Sequence, residues 1–234
     1  EPGHHIFPQL NEMESAALRA KDLTQQLLTF SSGGEPIKGP TQIGVLVRET
    51  ALFALRGSNV RCEFDFADDL WMALVDAGQI GQVIHNLVIN ADQAMPEGGV
   101  IRIRGKNIDV GSGNNAAFVP EQSIRITIED QGTGINKEYV DKIFDPYFTT
   151  KQKGSGLGLT IVYSIIEKHD GYVTADSEPG IGTTFKIYLP ASPEIEIKQV
   201  KSDGKIDSGA GYILIMDDEE PIRKMVAKML KKMG

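Results

Sequence analysis

Several segments between Val60 and Pro190 alternate apolar and charged residues, and this alternation limits the folds open to the chain. The segments are "VRCEFDF", "VIRIRGKNI", "SIRITIED", "GYVTADSE" and "GTTFKIYLP". Because side chains alternate between the two faces of a strand, each segment presents one apolar and one polar face. A sheet built from such strands is covered on one face and wet on the other. We predict an α+β fold, a two-layer α/β sandwich with a mostly antiparallel sheet, over about residues 41–190.

Helices are predicted between these strands. They run from about Gln42 to Leu55, from about Gln79 to Ala94, over a short stretch after Asn136, and after a run of glycines near residue 156. A further strand, "LWMALVD", precedes the second helix. The segment "DVGSGNNAAFVPEQ" has the composition of a surface loop between two strands.

The segments on either side of the sandwich have a different character. Residues 10–30 carry apolar residues at alternating steps of three and four, which predicts one long bundle-forming helix. The following "SSGGEPIKGP" predicts a linker, so the first unit is residues 1–40. Residues 191–210 are predicted to be a second linker, and residues 211–234 to be the truncated start of another domain. The chain is therefore expected to be a piece of a longer protein.

Composition excludes several classes of function. The formal net charge of −8 argues against bulk binding to nucleic acid or to an anionic membrane. No apolar run approaches the roughly 20 residues that span a bilayer. Cys62 is the single cysteine, so no intrachain disulfide can form, and we expect a reducing cytoplasm with Cys62 packed in a core.

The run "KQKGSGLGLTIVYSII" places three glycines directly before a helical pattern. A dinucleotide fingerprint would need a glycine where Leu159 stands, and no P-loop pattern occurs. Gly154, Gly156 and Gly158 let backbone N–H groups approach an anion at the start of the helix, with Lys151 and Lys153 adding positive charge. A loop that only turns the chain explains the glycines equally well.

Two further segments carry polar groups with a defined geometry. Asn86 and Asn90 are four residues apart on one helix face, where their oxygens can reach Mg²⁺ or where they are simply solvated. Asp130 ends a strand before Gly132 and Gly134, and can accept a hydrogen bond from an exocyclic amine such as that of adenine. The alternative for Asp130 is an ordinary Asp-x-Gly turn.

The order of these segments is more specific than any one of them. Asn-x-x-x-Asn, Asp-x-Gly-x-Gly, "FDPYFTTK" and "GSGLGL" follow one another, and residues 41–190 here resemble the ATP-binding domain of sensor histidine kinases. The four segments are similar to its N, G1, F and G2 boxes. The fold implied is the Bergerat type, shared with gyrase, the MutL mismatch-repair proteins and the Hsp90 chaperones.

The resemblance implies ATP and Mg²⁺ as cofactors, with Asn90 on the metal and Asn86 assisting at the phosphates. Asp130 would recognise the adenine amine, and Thr184 would support either Asp130 or the adenine from a neighbouring strand. Residues 136–153 would form a mobile lid with Phe144 and Phe148 as latches, although core packing explains these aromatic residues at least as well. The remaining residues implied at the site are Gly132, Gly134, Ile135, Lys151, Gly154, Gly156, Leu157, Gly158 and Leu159.

The flanks also resemble parts of this family. The helix at residues 10–30 is similar to the second helix of the dimerisation and phosphotransfer hairpin, which implies a second copy of the chain as a partner. "YILIMDDEEPIR" resembles the opening of a receiver domain, where Asp217 and Asp218 would bind Mg²⁺. These flanks imply a hybrid kinase, whose partner is a receiver domain in cis or a separate response regulator.

Two departures limit this interpretation. The phosphoacceptor histidine of the family is followed by an acid, whereas His4 and His5 run into "IFP", and the chain stops before the aspartate that a receiver phosphorylates. We interpret His85 and His169 as structural or surface residues. The expected activity is transfer of the γ-phosphoryl of ATP to a histidine outside the chain. A Bergerat-type ATPase clamp, or a nucleotide-sensing module without catalysis, remains as an alternative.

Overall fold

A computed structural model describes residues 35–109, 122–151 and 154–192, together with residues 216, 223, 226, 227 and 230. The chain divides into two compact units, Glu1–Glu196 and Ile197–Gly234, and the elements below belong to the first. Several predictions lie outside the described residues. They concern the helix at residues 10–30, most of the loop after the fourth strand, the second linker, His4, His5, Lys153, Asp217 and Asp218.

The described part of the first unit contains four helices and seven strands. The helices are α1 (Ile43–Ala54), α2 (Ala77–Ala94), α3 (Lys137–Val140) and α4 (Gly158–Lys168). The strands are β1 (Gly39–Thr41), β2 (Val60–Phe66), β3 (Met72–Val75), β4 (Gly99–Asp109), β5 (Gln122–Glu129), β6 (Tyr172–Glu178) and β7 (Gly182–Ser192). No helix in this described part is long and apolar enough to cross a membrane.

Strand β1 lies where the sequence predicted only linker. Its residues Gly39 and Pro40 discourage a strand assignment, but β1 ends the sheet and pairs only with β3, with Pro40 opposite Leu74. An edge position tolerates proline because the missing N–H would face away from the ladder. The remaining strands and helices were predicted to within a few residues of their observed ends.

The seven strands form one sheet in the order β1-β3-β7-β5-β4-β2, and β6 also pairs with β7. The pair β2–β4 is parallel, and every other pair is antiparallel. The predicted fold class, an α+β sandwich with a mostly antiparallel sheet, is confirmed.

The core lies between the sheet and the helices α1, α2 and α4, with α2 packed between the other two. Alternation along the strands supplies it with apolar side chains, each worth about 1.5–3 kcal/mol when fully buried. Those from the central strands are Ile101, Ile103, Ile124, Ile126, Ile128, Phe185, Ile187 and Leu189. Arg102, Arg104 and Lys106 occupy the intervening positions of β4, so the face of the sheet opposite α1, α2 and α4 is charged.

A buried histidine ties α4 to α2. The Asp76 carboxylate caps α2 by accepting the Gln79 N–H at 3.1 Å, and the Asp76 N–H donates to His169 Nε2 at 3.0 Å. His169 Nδ1 lies 2.7 Å from the Ile165 carbonyl oxygen, so the ring is the neutral Nδ1–H tautomer. Burial lowers the pKa of His169, which keeps it neutral. His169 is therefore structural, as one of the two interpretations held, whereas His85 is exposed.

Candidate functional site

Asp130 lies immediately after β5 with only 6% of its surface exposed. Its Oδ1 accepts hydrogen bonds from the Gly132 N–H at 2.9 Å and the Thr183 N–H at 3.3 Å. Among the described residues no hydrogen bond reaches Oδ2. Burial raises the pKa of Asp130, while the two backbone N–H groups and the Lys151 charge act in the opposite direction. The carboxyl group thus has one fixed oxygen and one that can meet a ligand.

The turn after Asp130 leaves no room for a side chain at Gly132 or Gly134. A Cβ on Gly132 would lie 2.5 Å from the Ala94 Cβ, and one on Gly134 would lie 2.1 Å from the Glu178 carbonyl oxygen. Gly134 also has φ +67°, a left-handed conformation that favours glycine. The Ile135 N–H donates to Ser177 Oγ at 2.8 Å. The turn is therefore held between the end of α2 and the β6–β7 turn.

The asparagine face of α2 contacts both halves of the glycine run. Asn86 Nδ2 donates to the Gly158 carbonyl oxygen at 3.2 Å, which joins α2 to the first residue of α4. Lys151 Nζ donates to Asn90 Oδ1 at 3.2 Å and to Gln93 Oε1 at 2.8 Å. Gln93 was not predicted from sequence, although it follows Asn90 by three residues and therefore shares its face.

Two amide oxygens on α2 thus hold one cation, the Lys151 ammonium group. Desolvation lowers the pKa of Lys151, and the Asp130 charge raises it. Within the described residues no cluster of three or more His, Cys, Asp and Glu side chains could hold a metal. A Mg²⁺ ion fits this donor set only through amide oxygens and ligand phosphates, which is how Mg²⁺ commonly binds beside nucleotides.

The glycine run places the start of α4 beside this cluster. Gly156 has φ +68°, and a Cβ on it would lie 2.4 Å from the Tyr147 carbonyl carbon. A Cβ on Gly154 would lie 2.6 Å from Thr149 Oγ1, whereas one on Gly158 meets nothing within 4 Å. Among the described residues no side chain caps α4, so the N–H groups of its first turn can meet an anion at the positive end of the helix dipole. The space over Gly158 leaves room for that anion.

Four of the remaining predicted residues pack in or against the core. Leu157 is 1% exposed, and Leu159, Phe144 and Phe148 are partly buried against the same core. The Phe144 ring lies 5.8 Å from Tyr163 and the Phe148 ring 5.7 Å from Tyr139, between ring centroids. Core packing is what the structure describes for both phenylalanines, and a latch role stays a prediction.

Thr184 does not lie with Asp130. It lines a cavity on the charged face of the sheet, and its neighbour Thr183 supplies the N–H that reaches Asp130. Successive residues of a strand point to opposite faces, so a one-residue error in assignment moves a side chain across the sheet. Thr183, which is 6% exposed and hydrogen-bonds Ser177 at 2.9 Å, contacts Asp130 through its backbone N–H, and a role for Thr184 beside the adenine stays a prediction.

Residues 75–193, from the end of β3 through β7, match the family described as histidine kinase-, DNA gyrase B-, and HSP90-like ATPase. The chain belongs to this family. The matched residues include Asn86, Asn90, Asp130 and the glycine run, so the resemblance noted in the sequence is confirmed for the domain. The matched part is an ATP-binding catalytic domain of the histidine kinase type.

The chain is similar to two curated kinases. Sensor kinase CckA of Brucella abortus (strain 2308) is 36% identical over 244 residues, covering 97% of this chain and 26% of CckA. Sporulation kinase A of Bacillus subtilis (strain 168) is 39% identical over 115 residues, covering 49% of this chain and 17% of the kinase. The chain therefore spans about a quarter or less of the length of these relatives.

Solved structures agree in fold. The catalytic domain of histidine kinase ThkA is 31% identical with a TM-score of 0.54, covering 67% of this chain and 97% of that domain. Full-length ShkA in complex with AMPPNP is 22% identical with a TM-score of 0.65, covering 80% of this chain and 40% of ShkA. A complex of ThkA with response regulator TrrA has a TM-score of 0.64 at 24% identity, covering 84% of this chain and 54% of the matched chain.

Proposed function

We propose that this chain binds Mg-ATP between α2, the turn after β5 and the start of α4, and presents the γ-phosphoryl group to a histidine outside the chain. One observation carries the proposal: Asp130, Asn90 with Lys151, and the uncapped start of α4 converge although they are far apart in sequence. A hydrogen-bond acceptor, amide oxygens and backbone donors match an adenine amine, a divalent cation and phosphates in turn.

The adenine would bind at the turn after β5. Asp130 Oδ2 would accept a hydrogen bond from the exocyclic amine, while Oδ1 stays with its two backbone donors. Gly132 and Gly134 would let the flat base approach the backbone, and Ile135 would cover it with an apolar side chain. The base would thus be selected by one charged acceptor in a tight pocket.

The phosphates would bind at the glycine run. Lys151 would leave Asn90 and Gln93 to contact them, and the N–H groups after Leu157 would donate to their oxygens. Mg²⁺, coordinated by Asn90 with Asn86 assisting at the phosphates, would neutralise charge on the transferring group. Gly154, Gly156, Gly158 and Leu159 would shape this end of the lid at residues 136–153.

In this proposal the chain aligns the phosphates of ATP and does not provide a covalent nucleophile. Phosphoryl transfer depends mainly on alignment and charge neutralisation, which fixed donors and a lysine provide. The attacking group would be a neutral imidazole, whose ordinary pKa is about 6.5. The phosphoryl group would then pass to a receiver aspartate.

The partners follow from the flanks. The alignment with CckA covers 97% of this chain and so extends beyond the catalytic domain on both sides. We propose that residues 10–30 pair with a second copy of the chain, and that Asp217 and Asp218 bind Mg²⁺ in a complete receiver. A separate response regulator is the alternative partner, as the complex of ThkA with TrrA illustrates for that kinase. The domain is proposed to act in the cytoplasm, without nucleic acid or membrane contact.

Calorimetric titration with ATP, with and without Mg²⁺, tests this function. Asn90→Ala should keep the fold and weaken Mg-dependent ATP binding by about tenfold or more, since one metal ligand is lost. Asn59→Ala is the matched control, because Asn59 is exposed and its side chain donates to the Pro96 carbonyl oxygen rather than to a residue of the proposed site. Unchanged Mg²⁺ dependence in Asn90→Ala would contradict the metal role. Sustained ATP hydrolysis by the isolated chain would instead support an ATPase clamp, and binding without any transfer in the complete protein would support a sensing module.

A further inference from the structure

The charged face of the sheet, opposite α1, α2 and α4, contains a cavity of about 500 Å³. Its lining includes Arg104, Lys106, Arg125 and Lys186, together with Asp65 and Thr127. The candidate nucleotide site lies on the other side of the sheet, and of the residues predicted for that site only Thr184 also lines this cavity. The cavity is large enough for a small organic ligand, since ligand pockets span about 300–1,000 Å³.

Two of the four cations already have anionic partners. Arg104 forms an ion pair with Glu129, and Lys186 Nζ lies 2.6 Å from Asp176 Oδ2. Asp65 is opposite Arg104 in the β2–β4 register and adds a third acid on this side of the cavity. These acidic neighbours offset the positive charges of Arg104 and Lys186.

The other two cations are not balanced. Lys106 and Arg125 are directly opposite each other in the β4–β5 register, where like charges repel. Within the described residues neither forms an ion pair, and Arg125 Nε is buried without a hydrogen-bond partner. An anion with two charges between the two side chains would offset this repulsion and give the buried Arg125 Nε a partner.

We propose that this cavity is a second ligand site that binds a phosphate monoester. A phosphate monoester carries about 1.5 to 2 negative charges at pH 7 and several acceptor oxygens, which match Lys106, Arg125 and the Thr127 hydroxyl group. A single carboxylate supplies half of that charge. The cavity exceeds the size of one phosphate group, so the organic part of the ligand lies beside Arg104 and Lys186. This inference is independent of the proposed kinase activity.

The test uses the whole chain in phosphate-free buffer at low ionic strength, with amide NMR to locate binding. Glycerol 3-phosphate should perturb the amides of Gly105, Lys106 and Arg125, and should bind more tightly than inorganic phosphate. Lys106→Gln and Arg125→Gln should each weaken its binding by about tenfold, the usual effect of losing one charge-assisted contact. Lys106→Gln should also raise the thermal midpoint of the ligand-free chain, because the repulsion is relieved.

Two control variants check that binding is confined to this cavity. Arg61→Gln removes one charge from the same face outside the cavity and should leave binding unchanged, and Asn90→Ala should retain it although Mg-ATP binding is weakened. Equal binding by wild type and Lys106→Gln, no binding at all, or loss of binding in Asn90→Ala would each overturn the proposal. Preferential binding of hexaglutamate over both phosphates would also overturn it, in favour of a surface for acidic peptides.

Discussion

The two oxygens of Asp130 have different surroundings, and this difference defines what the residue can recognise. Oδ1 is committed to the N–H groups of Gly132 and Thr183, while Oδ2 has no donor among the described residues. An ionised carboxylate only accepts hydrogen bonds, so Oδ2 selects a donor group such as the amine of adenine. Burial raises the pKa of Asp130, so keeping it ionised at neutral pH opposes folding. Asp130 is therefore suited to binding a hydrogen-bond donor of a ligand, although its buried charge lowers the stability of the fold.

Asp130→Asn should separate binding from stability. Both backbone donors need an oxygen at the Oδ1 position, which forces the new amide nitrogen towards the ligand, where it meets the adenine amine donor to donor. We expect ATP binding to weaken about tenfold or more, as for loss of a hydrogen bond to a charged group. The thermal midpoint should be unchanged or higher, since a desolvated charge is removed. Asp68→Asn, at an exposed position, is the control, and retained ATP affinity in Asp130→Asn would contradict the adenine contact.

Gly134 offers a test of the turn that positions Asp130. Its φ is +67°, and an added Cβ would lie 2.1 Å from the Glu178 carbonyl oxygen. Gly57 also has a positive φ, +83°, but a Cβ there meets nothing within 4 Å. Gly57→Ala should therefore cost only the backbone term of about 1–2 kcal/mol. Gly134→Ala should cost clearly more in urea unfolding, and equal losses would show that the turn relaxes freely.

Two residues show the limit of prediction from sequence at this scale. Thr183 and Thr184 are adjacent threonines, and composition cannot tell which one faces Asp130, because that depends on strand register. Gln93 contacts Lys151, but a glutamine on a helix surface has the same appearance whether it is solvated or bound. The asparagines and the aspartate could be predicted because their spacing and order were distinctive.

At the scale of elements, α2 organises the site. It contacts α4 through two separated hydrogen bonds, Asp76 to His169 near its beginning and Asn86 to Gly158 in its middle. These fix the start of α4 relative to Asn90, because α4 is held at both of its ends. The helices and most strands could be predicted from periodicity, since burial of one face imposes it. β1 could not, because Gly39 and Pro40 match a linker equally well and only pairing with β3 makes them a strand.

The link through His169 predicts a pH dependence of folding. Burial lowers the folded-state pKa of His169 below its ordinary value of about 6.5, so the unfolded chain takes up the proton first. The contribution of neutral His169 to the free energy of unfolding is complete above pH 6.5. It is lost as the pH falls below 6.5 towards the folded-state pKa. His169→Gln should flatten this part of the stability curve, measured by urea unfolding from pH 7.5 to 5.0. An unchanged slope in His169→Gln would contradict this role of His169.

At the scale of the whole molecule, one sheet separates two surfaces of different chemistry. The side covered by α1, α2 and α4 carries Asn90, Asp130 and the start of α4. The charged face opposite carries the cavity with Lys106 and Arg125. Alternation in the sequence predicted both faces, because strands with a period of two cannot bury both. It could not predict the cavity, since that depends on which charged residues become cross-strand neighbours.

The catalytic domain is expected to bind ATP without phosphorylating itself. The chain contains four histidines. His169 is buried and hydrogen-bonded to Asp76 and Ile165. His85 is exposed on α2 next to Asn86, in the region where ATP is proposed to bind, and is not proposed as the group that attacks the γ-phosphoryl. Neither His4 nor His5 is followed by the acid of a phosphoacceptor motif.

Incubation with γ-labelled ATP and Mg²⁺ should therefore leave the chain unlabelled, although calorimetry detects binding. Addition of a separate fragment that carries a phosphoacceptor histidine hairpin should produce acid-labile label on that fragment, because the domain supplies alignment and the acceptor supplies the nucleophile. The label should depend on Asn90 and Asp130 and should disappear when the acceptor histidine is replaced by glutamine. Stable label on His4 or His5 in the chain alone would show that the acceptor lies within these residues, and would overturn this division of roles.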